Sequence, residues 1–347
     1  MIRLLQLEDS PDGASAFYRS VLPFRHLRRQ VEGLEIEIQM ERNGPLGWSV
    51  LTGFDVLFVP NPRSTRAKEI LRQARMCGLK IWIDYDDLYL AIPPENPSYS
   101  RFRANHAAHN TVDCLLAADV VTVSTKYLAE SYRKYNSNVH VVPNAFPVDL
   151  LVEGALGSIV QGRHEFVTWR GAEQHQRNLR EFSAELAAVA NDMRQRWTFQ
   201  FFGMNPEFFD GLFAYNHYGF DELVSSLYRM KRFCSKVHLV TLYDAPFNRA
   251  KSNISWIEGT IAGSVVLAPD WEEWTLPGVI NYRNREEFQC QLRKLLGGEY
   301  DLSAHFEASR DYLIRNLDLR TVNRGRLTIL TGLVPDRAPI RLPASGL

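Results

Sequence analysis

Three groups of residues have types and spacings suited to chemistry. The first is the run Phe247-Asn248-Arg249-Ala250-Lys251-Ser252-Asn253-Ile254-Ser255-Trp256-Ile257-Glu258-Gly259, which reads as a helix leading into a buried strand. Lys251 and Glu258 are seven residues apart, nearly two turns, so one continuous helix puts them on one face. Asp244 and Pro246 fit a helix start, whose free N–H groups attract anions. A lysine near that end can neutralise a diphosphate, and a carboxylate two turns on can accept hydrogen bonds from sugar hydroxyls. The same spacing also fits a solvated pair. The second group is Asp84, Asp86 and Asp87, closing the apolar run Ile81-Trp82-Ile83. Three carboxylates at a strand end can bind a divalent ion, or one of them can act as a base or orient a hydroxyl. Helix capping and a hydrogen-bonded loop are the alternatives. The third is Trp169-Arg170-Gly171-Ala172-Glu173-Gln174-His175. Gly171 permits close backbone approach and Arg170 adds charge, although an ordinary strand-to-helix turn has the same composition. A lone histidine such as His175 is more often structural than catalytic.

These side chains need strand ends to hold them, and the sequence alternates strands with helices. Strands are predicted at Ile2 to Leu7, Val56 to Val59, Lys80 to Asp84, Val120 to Val123 and Val139 to Val142. Leu34 to Met40 alternates apolar and polar residues, the pattern of a half-exposed edge strand. Helices are expected from the turn at Asp9 to Gly13 through Arg29, and from Ser64 to Cys77 with Gly78 as the C-cap. A long helix after Pro97 runs through Ala117, and another covers Thr125 to Tyr135. The glycine-containing stretch Val148 to Arg163 has no period and marks a boundary. A second series follows, with strands at Phe166 to Trp169, Thr198 to Phe202, Val237 to Leu242 and Val265 to Ala268. Helices fall at about 175–194, 220–233, 246–262 and 284–332, before a proline-containing tail from Pro335. Two such series argue for two parallel-sheet α/β domains, with ligands at the carboxyl ends of their strands.

Composition bounds the function. The 347 residues include 40 Lys+Arg and 40 Asp+Glu, which excludes a globally cationic nucleic-acid binder but not a local basic groove. Hydrophobic residues at 45% and charged residues at 23% are those of a folded chain rather than a disordered one. Cys77, Cys114, Cys234 and Cys290 are dispersed, so they read as reduced thiols of a cytoplasmic protein, without the close spacing of a zinc site. No run of about 18 apolar residues marks a transmembrane helix. The opening Met-Ile-Arg-Leu-Leu-Gln-Leu-Glu-Asp turns acidic too soon for a signal peptide.

Along the chain, these segments resemble the GT-B glycosyltransferases, especially glycosyltransferase family four and its phage and bacterial relatives, over roughly residues 1 to 290. In that family a basic residue holds the donor diphosphate, and a Glu before A-x-x-G-x-P-V binds the donor ribose. Here Glu258 precedes Ile261-Ala262-Gly263-Ser264-Val265-Val266. The first Glu of the family's E-x7-E pattern is replaced by Ala250. Ala118 to Thr125 and Val141 to Ala145 also match relatives, and Gly13 stands in the place of the family's first glycine-containing loop. The resemblance implies two Rossmann-like domains facing a cleft: an acceptor domain, 1–150, and a nucleotide-sugar domain, 151–317, with a helix at about 318–335 packing back onto the first. It implies donor binding by Gly13, Gly171, Asn248, Lys251, Ser252 and Glu258. The candidate catalytic set is Lys251, Arg170, Asp84, Asp86, Asp87 and His175. No metal is expected, because the D-x-D metal signature belongs to another glycosyltransferase fold.

The implied activity is transfer of a hexosyl or pentosyl group from a nucleotide-diphosphate sugar, UDP-sugar foremost, with no cofactor required and no obligate protein partner. Retention of configuration is implied by the family. Under inversion, one of Asp84, Asp86 and Asp87 would be the base. The acceptor is a saccharide, lipid or protein hydroxyl, or a hydroxymethylated base in phage-type DNA. Arg25, His26, Arg28 and Arg29, together with seven arginines against three aspartates from Arg310 onward, could line an acceptor face or form solvated helix faces. A non-catalytic nucleotide-sugar-binding protein of the same fold is the alternative of another class. No lysine signature for pyridoxal phosphate and no G-x-G-x-x-G after the first strand are present.

Overall fold

A computed structural model of the chain describes residues 1–8, 14–40, 48–148, 165–219 and 235–337. Gly13, Cys234, nearly all of the boundary stretch, the helix expected at 220–233 and most of the tail lie outside the described residues.

The described strands form two six-stranded sheets, with every pairing parallel. The first contains β1 (Ile2–Glu8), β2 (Leu34–Met40), β3 (Val56–Pro60), β4 (Lys80–Tyr85), β5 (Val120–Val123) and β6 (Val139–Val141), in the order β2-β1-β3-β4-β5-β6. The second contains β7 (Glu165–Gly171), β8 (Trp197–Gly203), β9 (Tyr215–Tyr218), β10 (Ser235–Leu239), β11 (Val265–Pro269) and β12 (Ile280–Tyr282), in the order β12-β11-β10-β7-β8-β9. In each sheet the chain moves outward from a central strand in one direction and then in the other. This creates a switch point between β1 and β3 and another between β7 and β10, where neighbouring crossovers diverge and leave a crevice.

Alternation along the strands buries both faces. Leu57, Val59, Ile81 and Ile83 pack with Ile70, Leu71, Cys114 and Leu115, whereas Val56, Phe58 and Trp82 pack with Phe24 and Leu27. That two-sided cover is why these strands read as continuous apolar runs. In the second sheet Val167, Trp169, Phe199, Phe201 and Val237 pack with Leu186, Val189, Leu292 and Leu295. At the chain's return, the Leu319 N–H donates to the Phe146 carbonyl at 3.1 Å. The final described helix, Leu319–Leu333, then lies on the first sheet's side, with Leu330 among Ile2, Leu4 and Phe24 and the Asn323 amide donating to the Pro23 carbonyl at 3.1 Å.

Four expected helical stretches are interrupted, and the one at about 284–332 is three helices, Arg285–Gly297, Leu302–Asn316 and Leu319–Leu333. The helix expected through Ala117 is two pieces, Tyr99–Ala104 and Ala107–Ala117, because His106 adopts a left-handed conformation at φ 51°. The one at 175–194 divides into Gln176–Arg180 and Ser183–Met193. The helix at 246–262 is also two, Pro246–Arg249 and Ile254–Ile261, so Lys251 and Glu258 do not share one helix face. Between those pieces the Ala250 carbonyl accepts from Thr125 Oγ1 at 3.3 Å and Ser252 Oγ accepts from the Asn144 amide at 2.8 Å. Contacts with the first half thus replace the helical ladder at the break. The edge strands β9 and β12 were not expected either. Gly78, at φ +83°, closes the helix Thr65–Met76 as its sequence suggests. Among the described residues no helix is long and apolar enough to cross a membrane.

Candidate active site

A cavity of about 250 Å³ opens where the carboxyl ends of β7 and β10 diverge, at the second sheet's switch point. Trp169, Arg170 and Gly171 come from the end of β7, and Val240 to Leu242 follow β10. Lys251 and Ser252 reach it from the helix break, and Glu258 from the helix Ile254–Ile261. Its opposite wall is Ser15, Asp86 and Asp87 from the first half.

The break moves Lys251 to a new partner. Its Nζ lies 2.6 Å from Asp87 Oδ1, bridging the two halves. Arg170 Nη1 donates to Glu258 Oε2 at 2.5 Å, and the Tyr18 hydroxyl, 240 residues away in sequence, donates to Glu258 Oε1 at 3.3 Å. Glu258 is only 1% exposed. Burial raises its pKa against the opposing effect of Arg170, and burial together with Glu258 raises that of Tyr18. A Cβ on Gly171 would run into the Trp169 indole, so glycine is required there by the neighbouring ring.

The three aspartates part company. Asp84 is taken up by a buried pair: Arg19 Nε donates to Oδ1 at 2.9 Å and Nη2 to Oδ2 at 2.7 Å, with Thr122 Oγ1 donating to Oδ2 at 2.5 Å. The other end of Arg19 holds the Val142 carbonyl at 2.6 Å and Asn144 Oδ1 at 3.0 Å, so Asp84 fastens the first half and does not line the cavity. Asp86 does line it. One of its oxygens accepts from Ser15 Oγ, the other, Oδ1, has no partner, and burial followed by the neighbouring Asp87 raises its pKa. Asp87 is the partner of Lys251. Among the described residues, no three His, Cys, Asp or Glu side chains converge as a metal site.

His175 stands at the cavity rim, its Nδ1 3.1 Å from the Asn178 amide. It is half-buried, and burial and then the Lys251 ammonium push its pKa down to about 4, so it is neutral at physiological pH. Asn248 does not line this cavity; its amide is locked to Asn178 Oδ1 at 2.7 Å and to the Tyr243 carbonyl at 2.9 Å.

Sequence reasoning gave no site role to Ser15, Tyr18 and Arg19, although they end the N-terminal segment that matches the family's first loop, and it passed over Glu273. Glu273 carries a carboxyl pushed up to about 8 by burial, despite accepting from the Asn253 N–H. Local spacing does not reveal the partners of Ser15, Tyr18 and Arg19, which lie more than sixty residues away along the chain. Nor, among the described residues, do the arginines from Arg310 onward form one free face. Arg326 is buried, Arg310 and Arg315 pair with Asp311, and Arg337 pairs with Asp55.

No family model matches the sequence, and no curated protein sequence matches it. Solved structures do match the fold. A glycosyltransferase from Rickettsia africae superposes with a TM-score of 0.64 at 10% identity, covering 97% of this chain and 99% of that one. A UDP-forming α,α-trehalose-phosphate synthase from Burkholderia xenovorans gives 0.65 at 12% identity, covering 97% and 100%. An α-glucosyltransferase in complex with UDP and a 13-mer DNA containing an HMU base gives 0.64 at 10% identity, covering 95% and 99%. The chain has the GT-B glycosyltransferase fold.

Proposed function

We propose that the protein is a glycosyltransferase that moves a sugar from a UDP-sugar to an acceptor hydroxyl with retention of configuration. The observation that carries this is the meeting of Arg170, Lys251 and Glu258 in one crevice at the second sheet's switch point, facing Asp86 and Asp87 across it. Residues 151–317 then form the donor domain. Residues 1–150 form the acceptor domain, with the helix at about 318–335 docked on it.

Each group has a role its chemistry suits. Glu258, held by Arg170 and Tyr18, keeps lone pairs for the donor ribose hydroxyls. Lys251, with Arg170 beside it, stabilises the charge that builds on the departing diphosphate. Gly171 and Ser252 line the donor's path, while Gly13 would complete the loop beneath the phosphates. Asn248 and the neutral His175 position the turn around it rather than exchange protons. In a retaining transfer the acceptor oxygen bonds to the anomeric carbon as the carbon–diphosphate bond breaks, and the hydroxyl proton leaves on the diphosphate oxygen. Asp86, whose Oδ1 has no hydrogen-bond partner, orients that hydroxyl. Asp84 is excluded from a base role by its pairing with Arg19.

Incubation with a panel of UDP-sugars and acceptors, including hydroxymethylated DNA, read by mass spectrometry, tests the activity. NMR of the product tests retention, and a purely inverted product would reject it. UDP-sugar binding without turnover on any acceptor would support a non-catalytic binding protein instead. The DNA-bound match keeps a hydroxymethylated base in the acceptor panel. If duplex DNA is the acceptor, its affinity falls steeply with salt.

A further inference from the structure

The helical segment after β1 contains a turn of a rare kind. Between Ala14–Ala16 and Leu22–Gln30, the residues Phe17–Val21 form a π-helical turn, in which the Leu22 N–H donates to the Phe17 carbonyl five residues back. Tyr18, Arg19 and Ser20 are all buried there. Three consecutive side chains of an α-helix spread over about 200° of its circumference, so a segment that buries all three has cover on opposite sides. Arg19 is covered by the first half, where it binds Asp84, the Val142 carbonyl and Asn144. Tyr18 packs instead in a cluster that contains Phe202, Val240, Trp256 and Ile257 of the second half. Neighbouring residues of one turn are thus tied to the two halves.

At the tip of the Tyr18 ring stands Glu258. The Tyr18 hydroxyl donates to Oε1 at 3.3 Å, and Arg170 Nη1 donates to Oε2 at 2.5 Å. One anchor on each oxygen fixes the plane of the carboxylate and leaves a lone pair on each for a ligand. Arg170 comes from the end of β7, in the same half as Glu258, whereas Tyr18 comes from the other half. The ring itself is held by Phe17, edge-on with centroids 5.2 Å apart, and by Phe146 at 6.5 Å. Burial favours protonation of Glu258, and both anchors oppose it by donating to the charged form. The other titratable groups near it are His238, bound to Ser255 on the same helix, and Lys251, Asp86, Asp87 and His175 around the cavity.

We infer that Tyr18 is a positioning residue for Glu258, through which the first half completes the site for the donor ribose. The inference rests on the donor-site reading for the ligand, but the hold of Tyr18 on the carboxylate is measurable without one. Arg19, fixed by Asp84, sets the π-helical turn, and the turn aims Tyr18 at Oε1. Held there, the carboxylate stays ionised and oriented, with lone pairs for two neighbouring hydroxyls. Without the tyrosine hydroxyl, Glu258 keeps only Arg170 and takes up a proton at higher pH. A protonated carboxyl has less acceptor capacity, so nucleotide affinity falls as pH falls through the pKa of Glu258.

The test is Tyr18→Phe in the full chain, which keeps the ring and its packing and removes one oxygen. Without nucleotide, the carbon-labelled Glu258 carboxyl, assigned in NMR spectra by its loss in Glu258→Gln, is expected to titrate at a higher pH in Tyr18→Phe than in the parent. By calorimetry, UDP is expected to bind Tyr18→Phe about fivefold more weakly, the loss setting in at higher pH than in the parent. The preference for UDP over 2′-deoxy-UDP should shrink, because the effect is on the ribose hydroxyls. In turnover, KM for the UDP-sugar should rise with kcat unchanged. Added to Glu258→Gln, Tyr18→Phe should cost no further UDP affinity, because it acts through that carboxylate alone. The inference falls if the Glu258 titration is unchanged or if the two losses add in the double variant. A shifted titration in a protein that binds no UDP would sink the donor-site reading and leave Tyr18 as the group that positions Glu258.

Discussion

Replacing Asp87 by Asn tests whether this carboxylate holds the place of the donor diphosphate. Lys251 Nζ and Asp87 Oδ1 are 2.6 Å apart, with the two side chains 18% and 27% exposed. Unit charges at that distance in an effective dielectric of about 20 attract by roughly 6 kcal/mol before desolvation and side-chain ordering are subtracted. Exposed pairs keep about 0.2–1 kcal/mol net, and buried ones lose about 3–5 kcal/mol when one partner is removed. This partly exposed pair lies between, at about 1.5 kcal/mol. If, on the proposed reading, the diphosphate takes the place of Asp87 at Lys251, donor affinity is reduced by that amount. Asp87→Asn keeps the shape and removes the charge, and should bind UDP about tenfold more tightly by isothermal titration calorimetry. Lys251→Ala should bind it more weakly, and adding Asp87→Asn to Lys251→Ala should give no further gain, because the two act through one contact. Unchanged or weaker UDP binding by Asp87→Asn would refute the argument.

Other expectations follow from the same network. Glu258→Ala should lower kcat/KM for the UDP-sugar at least tenfold and leave Arg170 without its partner; donor use equal to the parent's would remove Glu258 from the donor site. Asp84→Asn should cost about 3–5 kcal/mol in urea unfolding, because it strands the buried Arg19, and a loss below about 1 kcal/mol would contradict a structural role. His238 is fully buried, its Nε2 2.8 Å from Ser255 Oγ, and burial followed by Arg170 pushes its pKa down to about 3. A depressed folded-state value means that its stabilising effect is complete above the unfolded value of about 6.5 and is lost as pH falls from there toward about 3. Between pH 7.5 and 5 this amounts to about 2 kcal/mol, and His238→Gln should flatten that part of the urea-unfolding profile; an unchanged slope would assign the loss to other groups.

The alternating order of strands and helices was legible because both faces of each sheet are covered. Central strands such as Val56–Pro60 and Val265–Pro269 are uniformly apolar and stand out. What escaped was at the margins. β9, Tyr-Asn-His-Tyr, is a half-exposed outer strand, and β12 is three residues long at the opposite edge. Neither position demands an apolar run. The helix breaks at Ala250 to Asn253 and at His106 escaped for a different reason. Periodicity continues through a break, and what makes the first one is supplied by Thr125 and Asn144, more than a hundred residues away.

The same distance limits what could be read of the site. Residue type pointed to Lys251, Arg170 and Glu258, and they do line one cavity, but by a route unlike the helix face that spacing suggested. Their partners are non-local: Tyr18 for Glu258, Asp87 for Lys251, and Arg19 for Asp84. Those pairings also give physical content to the balance of 40 basic and 40 acidic residues. Each guanidinium or ammonium discussed at the cleft already faces a carboxylate, so on the proposed donor-site reading a diphosphate would enter by exchanging with charge rather than by meeting bare cations. On that reading, exchange at Lys251 releases Asp87, which lines the opposite wall of the cavity.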